Sequence, residues 1–367
     1  MTIKETQLII DLKALETNFK TIKNQIKSTT KIMGVVKAFA YGTDSVVVAH
    51  KLVDLGVSYL AVAYTEEGVR LRNSGIQIPI LVFYPQLEEL SSLVEYHLMP
   101  SVYSFNFLIG LNSLLKDSTV IDFPIHLKIN TGLNRLGFDL DELDEIYEEI
   151  ANSQHIKLAG VFSHLAASGT ASQVDFTKQQ IAKYKQAQAF FIEKFGQGFL
   201  SHLCNSSGIF NYPEAEFDMV RAGIALYGYG NNAAENEQLI PISNLKTVIA
   251  QLRTIQKGES VGYERMFIAE KETVIASLPL GYIDGIARQF GNGKADVLVN
   301  GKKAPIVGHV CMDIVMIDVT DINCQEGDHV IIFGREHSVL EFDKYQQTIP
   351  YEIITRISQR VTRVIEQ

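Results

Sequence analysis

The sequence is poor in cysteine and contains neither a long apolar run nor a block of like charge. Its three cysteines, Cys204, Cys311 and Cys324, are odd in number and far apart, which argues against a disulfide framework and leaves them expected as free thiols. No stretch reaches the roughly 18 apolar residues of a membrane-spanning helix. The opening residues, MTIKETQLII, lack the basic flank, apolar core and small-residue cleavage site of a secretory leader. A cytoplasmic location, away from any membrane, is therefore expected. The net charge of −9 is spread without acidic or basic runs, which argues against nucleic acid as a partner and leaves small molecules open. Repeats and metal-ligand spacings are also missing. His202 and Cys204 lie close together without further ligands, and Asp313, Asp318 and Asp321 lack the glycine and spacing of a calcium loop.

What is present is an alternation. Apolar runs at 32–37, 59–63, 78–83, 98–102, 125–129, 158–163, 199–204 and 219–220 each precede a loop or an amphipathic segment. A doubly wound sheet usually stops at about five or six strands, so eight such runs predict a closed (β/α)8 barrel over residues 1–233. Before them, Leu8-Ile9-Ile10 reads as a short strand, and Asp11 as the cap of a helix with Leu15, Phe19, Ile22 and Ile26 on its apolar face. Thr65-Glu66-Glu67 opens a later helix. Beyond Gly230 the texture changes to β-branched runs at 247–252, 273–278, 296–299, 310–319 and 329–333, with Asn300-Gly301 as a hairpin turn. Residues 234–367 are expected to form a mostly β domain that ends in a helix over 351–360.

The active site of such a barrel lies at the C-terminal ends of its strands, so residues just after each apolar run should converge. Lys37 and Tyr41 follow the first run, Lys128 through Arg135 the fifth, His164 the sixth, Asn205-Ser206-Ser207-Gly208 the seventh, and Arg221-Ala222-Gly223-Ile224 the eighth. Lysines, two arginines and a histidine there make a pocket for an anion, and Gly208 and Gly223 beside hydroxyls suit a phosphate. Each position has a plainer reading. Lys37 could snorkel to the rim, His164 could be a satisfied core histidine, Asn205-Ser206 a helix cap and Arg221 an ion-pair partner. Those readings do not explain why all of them fall after successive strands. A lysine desolvated at a buried strand's end loses basicity and becomes a nucleophile able to form a Schiff base.

Nine motifs strengthen this reading: VVKAFAYG at 35–42, HLKINTGLNRLGF at 126–138, VFSHLA at 161–166, NSSG at 205–208, DMVRAGIALYG at 218–228, VGYERM at 261–266, GYIDG at 281–285, VGHVCMD at 307–313 and YEIITRIS at 351–358. With these motifs in this order, the chain resembles the alanine racemases, pyridoxal-phosphate enzymes of fold type III, along its whole length. The resemblance implies pyridoxal 5′-phosphate carried on Lys37, its phosphate held by Tyr41, Ser206, Gly223, Ile224 and Tyr351, with Asn205 and His164 also at the cofactor. It puts Arg221 on the pyridine nitrogen, Arg135 on the phenolic oxygen and the substrate carboxylate, and Tyr263 on the face opposite Lys37. Met312 and Tyr282 match residues that reach the substrate from a second subunit of a homodimer, with Asp313 their neighbour. Lys128 matches a position that is carbamylated in many relatives.

The implied activity is the two-base interconversion of L- and D-alanine, supplying D-alanine for peptidoglycan. A broad-spectrum or serine racemase of the same fold is the alternative. Phe39, Thr43-Asp44, Asn130, Glu264 and His309 depart from the family pattern without removing a named catalytic group. Asn130 stands for an aspartate and His309 for an arginine, and the departures bear on the rim of the pocket and the amino acids it accepts.

Overall fold

The structure, a computed structural model, describes residues 5–343 and 348–367, so the first four residues of the stretch inspected for a leader lie outside it. The chain opens with strand β1 (Gln7–Asp11) and continues through β2 (Lys31–Val35), β3 (Tyr59–Val62), β4 (Ile80–Val82), β5 (Met99–Val102), β6 (Phe123–Lys128), β7 (Ile156–Phe162), β8 (Leu200–His202) and β9 (Met219–Ala222). Strands β2 to β9 are parallel, and β9 pairs back onto β2, Ile32 opposite Val220, to close a barrel. The eight apolar runs are those eight strands. Covered on both faces, a parallel strand needs a nearly unbroken apolar run, and β4 and β9 are buried at every residue.

The barrel interior also holds polar groups: Ser101, His126, Lys128, His202 and Arg221 are all buried. Seating His126 takes two local adjustments. The β6–β7 register shifts between Ile125 and His126, and Gly160 on β7 leaves room for the ring, since a Cβ there would lie 2.2 Å from His126 Nδ1. Glycine weakens a strand interior and commonly marks such a close approach.

A second compact unit consists of the N-terminal residues up to Leu15, Tyr41–Asp44 and Ile240–Gln367. Its strands are β1, β10 (Ser243–Val248), β11 (Gln251–Ile255), β12 (Ser260–Val261), β13 (Phe267–Ile268), β14 (Thr273–Leu278), β15 (Asp296–Val299), β16 (Lys302–Pro305), β17 (Val315–Asp318), β18 (His329–Phe333) and β19 (Thr362–Glu366). They form sheets in the orders β16-β15-β18-β10-β1-β19 and β11-β14-β17, plus the β12-β13 hairpin. The N-terminal strand thus falls with the β unit, whereas a boundary at 233 puts it with the barrel. The reason is pairing: β1 lies between β10 and β19, joining the chain's beginning to its end. Asp11 Oδ1 accepts the Ala14 N–H at 2.9 Å, the cap read from the sequence.

Other expectations for this unit need correction. The run at 247–252 is two strands, because the Ile249 N–H donates to Asp328 O and the next N–H, of Ala250, donates to Ser277 O in another sheet. Of 310–319 only Val315–Asp318 is a ladder strand. The final helix is Pro350–Thr355, shorter than 351–360, and beyond it the carbonyls of Ile357, Ser358 and Val361 accept from the Arg363 guanidinium. Asn300 and Gly301 have φ of 47° and 77° and join Val299 to Lys302, a two-residue turn of the expected kind.

Gly160→Ala tests the seating of His126. With no space for the added methyl, the variant should lose about 1–3 kcal/mol, the usual cost of overpacking, read from its urea midpoint. An unchanged midpoint would mean that the ring has room to turn away.

Candidate active site

After β2 the ladder continues for one residue, Val36 N–H donating to Ala61 O at 2.8 Å, and the chain then changes hand. Ala38, Phe39, Ala40 and Tyr41 have φ of 53°, 55°, 50° and 54°, and Gly42 follows at 85°. Lys37 therefore opens a left-handed turn and does not end a strand as expected; apolar periodicity carries no trace of handedness. For residues with a Cβ this conformation costs about 1–2 kcal/mol each, and it persists where surroundings over-determine it. The Lys37 side chain is half-buried, with Nζ 5.9 Å from the ring centres of Phe83 and Tyr84. Burial and then the Arg135 guanidinium lower its pKa, against an opposing pull from Glu67. Such an amine is a competent nucleophile.

Arg221 is buried on β9. Its Nη1 donates to His202 Nδ1 at 3.0 Å and His202 O at 3.1 Å, and its Nη2 to Ser163 O at 2.6 Å, Leu203 O at 3.0 Å and His164 Nδ1 at 3.3 Å. All five acceptors are neutral, and among the described residues none engages Nε. The donors fix the tautomers. His202 accepts at Nδ1, so its Nε2–H donates to His126 Nδ1 at 2.9 Å, and His126 carries its proton on a buried Nε2 without a partner. Burial first, then the arginine's charge, hold His202 and His164 well below the usual histidine range and His126 at about 3. Burial brings Arg221 itself down to about 10.

The Phe162 ring lies nearly parallel to His202, and both Lys128 Nζ, at 4.8 Å, and Arg221, at 5.3 Å, stand over it. Lys128 ends β6 in a buried position. Burial, then the charges of Arg221, Arg135 and Lys37, lower its pKa to about 7. Arg135 sits on the exposed loop beyond. Asn130 organises that loop, its Oδ1 accepting from the N–H groups of Gly132 and Asn134 while its Nδ2 donates to Asn134 Oδ1 and, at 2.9 Å, to Asp139 Oδ1. An aspartate at this position could accept but not donate, and would face the Asp139 carboxylate.

Ser206 Oγ accepts from the N–H groups of Gly223 at 3.0 Å and Ala225 at 3.3 Å. With both lone pairs engaged, its proton remains to be given to a ligand. Ile224 heads the buried turn that follows. Asn205 Oδ1 accepts from Gly208 N–H and Ser168 Oγ. Buried Glu235 anchors the segment, accepting from Ser207 Oγ, Asn211 Nδ2, Asn231 N–H and Asn232 Nδ2 at 2.7–2.8 Å.

In the β unit the rings of Tyr41 and Tyr351 stand 6.1 Å apart. Gly42 admits the Ile354 carbonyl where a Cβ would lie 2.0 Å from it, and Arg363 donates to Gly42 O at 2.8 Å and Thr43 O at 3.2 Å. Gly281 brings Tyr282 and Met312 together, because a Cβ there would fall 2.2 Å from Met312 O, and Tyr282 N–H donates to Cys311 O. Arg360 spans Asp284, with bonds of 2.6 and 2.9 Å, and Asp313 at 2.7 Å. Tyr263 is 71% exposed on a turn whose next residues, Glu264 and Arg265, have φ of 59° and 53°. Glu264 Oε2 lies 3.1 Å from His309 Nε2, so two departures from the family pattern contact each other.

Lys37, Lys128, Arg135, His164, Asn205, Ser206, Arg221, Gly223 and Ile224 thus belong to the barrel unit, and Tyr41, Tyr263, Tyr282, Met312 and Tyr351 to the β unit. Sequence reasoning passed over His126, His202, Glu67 and Gln180. Gln180 is fully buried, donating to Thr131 Oγ1 and His164 O and accepting from Ala166 N–H, which ties two of the site's loops. Its signal was a polar residue within the buried stripe of the helix Val174–Phe195.

A desolvated lysine among cations at the C-terminal mouth of a (β/α)8 barrel, with hydroxyl and guanidinium donors left over, defines a class of proteins that capture an anionic carbonyl compound through an amine. Residues 10–231 match the model of the alanine racemase N-terminal domain and residues 242–365 that of the C-terminal domain. The alanine racemase of Thermodesulfovibrio yellowstonii is 38% identical over 97% of this chain and 96% of its own. That of Clostridium difficile 630 superposes with a TM-score of 0.92 at 34% identity, covering 99% of this chain and 96% of that one. The alanine racemase from Bartonella henselae with covalently bound pyridoxal phosphate superposes at 0.89, with 28% identity and 99% of both chains covered. This chain belongs to the alanine racemase family.

The buried Lys128 gives a pH test. Its amine is protonated in the unfolded chain up to about pH 10.4 but in the folded protein only up to about 7. Between those values the unfolded state binds the extra proton, so stability rises with pH. Comparing wild type with Lys128→Met isolates the group: the wild type should gain on the variant by up to about 1.4 kcal/mol per pH unit across that window. Parallel stability curves would show that Lys128 is not desolvated.

Proposed function

We propose that the protein is an alanine racemase that uses pyridoxal 5′-phosphate, interconverting L- and D-alanine and supplying D-alanine for peptidoglycan in the cytoplasm. The observation that carries this reading is Arg221, whose Nη donors are consumed by neutral protein acceptors while Nε remains. The residues present suit the cofactor group by group. Lys37 would take its aldehyde; Ser206 and the Gly223–Ile224 turn, with Tyr41 and Tyr351, its phosphate; Arg135 its phenolic oxygen; and Arg221 its ring nitrogen, with Asn205 and His164 supporting them. When bound, this cofactor supplies the electron sink that acidifies the Cα–H of an amino acid.

Racemisation then needs a base on each side of Cα. Lys37 Nζ, its proton affinity lowered by burial and by Arg135, takes or returns the proton on one face, and Tyr263 Oη does so on the other. Arg135 receives the substrate carboxylate. Arg221, with a pKa of about 10, stays charged at neutral pH and gives no proton to the ring nitrogen. That restraint limits charge delocalisation and side reactions. His164, accepting at Nδ1, carries its proton on Nε2, and a hydrogen bond given from there to the phenol would favour its ionised form. Lys128, neutral in part near pH 7, can add carbon dioxide, losing a proton and becoming a carbamate whose charge opposes the surrounding cations. The exposed apolar Tyr263, Tyr282, Ile283, Met312 and Ile314 suit burial against a second copy, in a homodimer where each β unit completes its partner's site.

Borohydride reduction followed by peptide mapping should place the phosphopyridoxyl group on Lys37; an adduct on Lys128 would refute the assignment. Tyr263→Phe should slow Cα deuterium exchange from one alanine enantiomer by roughly 10²–10⁴-fold more than from the other. Small, equal losses would remove Tyr263 from the chemistry. If sites are shared across a two-fold axis, mixing inactive Lys37→Ala and Tyr263→Phe chains restores about a quarter of all sites. A mixture no more active than its components, with subunit exchange verified by mass, would rule out sharing.

A further inference from the structure

Lys37 stands at the head of a strained turn, and one carboxylate holds that head in place. We infer that Glu67 is a positioning residue for Lys37, fixing the left-handed turn from which the lysine reaches into the barrel mouth. The inference rests on the reading of Lys37 as the reactive amine. Glu67 lies in the first turn of the helix Thr65–Asn73 that follows β3. Its Oε2 accepts from the N–H groups of Ala63 at 2.7 Å and Tyr64 at 3.2 Å, and its Oε1 accepts from Ala38 N–H at 2.6 Å.

The two oxygens do different work. Oε2 serves its own helix start, where the dipole favours an anion. Oε1 reaches across to the loop after the neighbouring strand and takes the N–H of the first residue with positive φ. The first N–H groups of any helical turn lack partners within it, and this turn closes with Ala40 N–H on Val36 O at 3.0 Å. Charge-assisted bonds are the stronger kind, which suits a conformation that is unfavourable for alanine and phenylalanine. A cap for the helix Thr65–Asn73 alone would need one oxygen. The second couples the ends of β2 and β3, and it brings the one acidic group among the charges acting on Lys37.

Two effects follow from Glu67→Gln. A glutamine oxygen can serve one side of this bridge but not both, and its NH2 group faces N–H donors. Loss of the negative charge also removes the one influence that raises the Lys37 pKa, so the amine should titrate at lower pH. The test uses the full-length chain freed of cofactor with hydroxylamine. Competitive acetylation of Lys37 is followed against pH by mass spectrometry, together with hydrogen exchange at the Ala38 amide. In Glu67→Gln, Lys37 labelling should move to lower pH and Ala38 should exchange faster. Racemisation should fall by about 10²-fold, the scale of a misplaced reacting group.

Glu67→Asp separates charge from reach. It should label like the wild type yet still lose activity and Ala38 protection, being one methylene too short to span both loops; if Glu67→Gln does not fold, this variant's Ala38 exchange decides. Unchanged Lys37 labelling in Glu67→Gln, or unchanged Ala38 exchange in either variant, would overturn the inference and leave Glu67 a cap of its own helix. Failure of the functional reading looks different: the wild type would show no racemisation, or would bind its cofactor at another lysine.

Discussion

The site depends on burying the Arg221 charge with no carboxylate partner among the described residues. A guanidinium taken out of water is costly unless its donors are satisfied, and here carbonyls and imidazoles satisfy the Nη groups. Neutral acceptors leave the charge uncompensated. Burial is the larger cause, and the Arg221 charge adds to it in keeping His202 and His164 neutral and in bringing Lys128 to about 7, while the hydrogen bonds from Arg221 to His202 and from His202 to His126 fix the tautomers. A carboxylate in place of His202 would make a tighter pair but would cancel the field that the other groups respond to.

Strain and rigidity are distributed accordingly. The barrel strands are parallel ladders, and among the described residues consecutive positive-φ residues with a Cβ occur at 38–41 after Lys37 and at Glu264–Arg265 after Tyr263, whereas His97, Asp122, Asn134, Phe217, Asn292 and Asn300 are isolated cases. Each of the two runs has side-chain contacts from its neighbours, Glu67 and Arg363 for the first and His309 for the second. Strain held this way fixes a side chain more narrowly than a loop of favourable conformation would.

Much of this was legible in the sequence because parallel strands write themselves as apolar runs and barrel topology puts function at their ends. All eight barrel strands and the ladders Thr273–Leu278, Asp296–Val299 and His329–Phe333 were readable for that reason. Handedness was not, so Lys37 read as a strand residue. Sheet switching was not, so one apparent strand concealed the β10–β11 crossing at Ile249 and Ala250. Glu67 looked like any acid at a helix start, because its second hydrogen bond depends on a neighbour 29 residues away. His202 was weighed only as a metal ligand beside Cys204 and discounted for want of further ligands. Its actual partners, His126 and Arg221, lie on other strands and share no spacing with it.

Asn130, Glu264 and His309, where the sequence departs from the resemblance, make contacts beside functional side chains. Asn130 donates to Asp139, where an aspartate would place two carboxylates together, and this bond helps to hold the loop carrying Arg135. Glu264 meets His309 on the turn carrying Tyr263, an acid–imidazole contact between two of the positions at which the sequence departs from the resemblance. In both places the altered residues support a functional side chain and do not supply one. The barrel-mouth cations are tied to one another more closely: after burial, which is the larger cause, the Lys37 pKa answers to the charge of Arg135, and the Lys128 pKa to those of Arg221, Arg135 and Lys37, so exchanging one of these cations alters the protonation of a lysine.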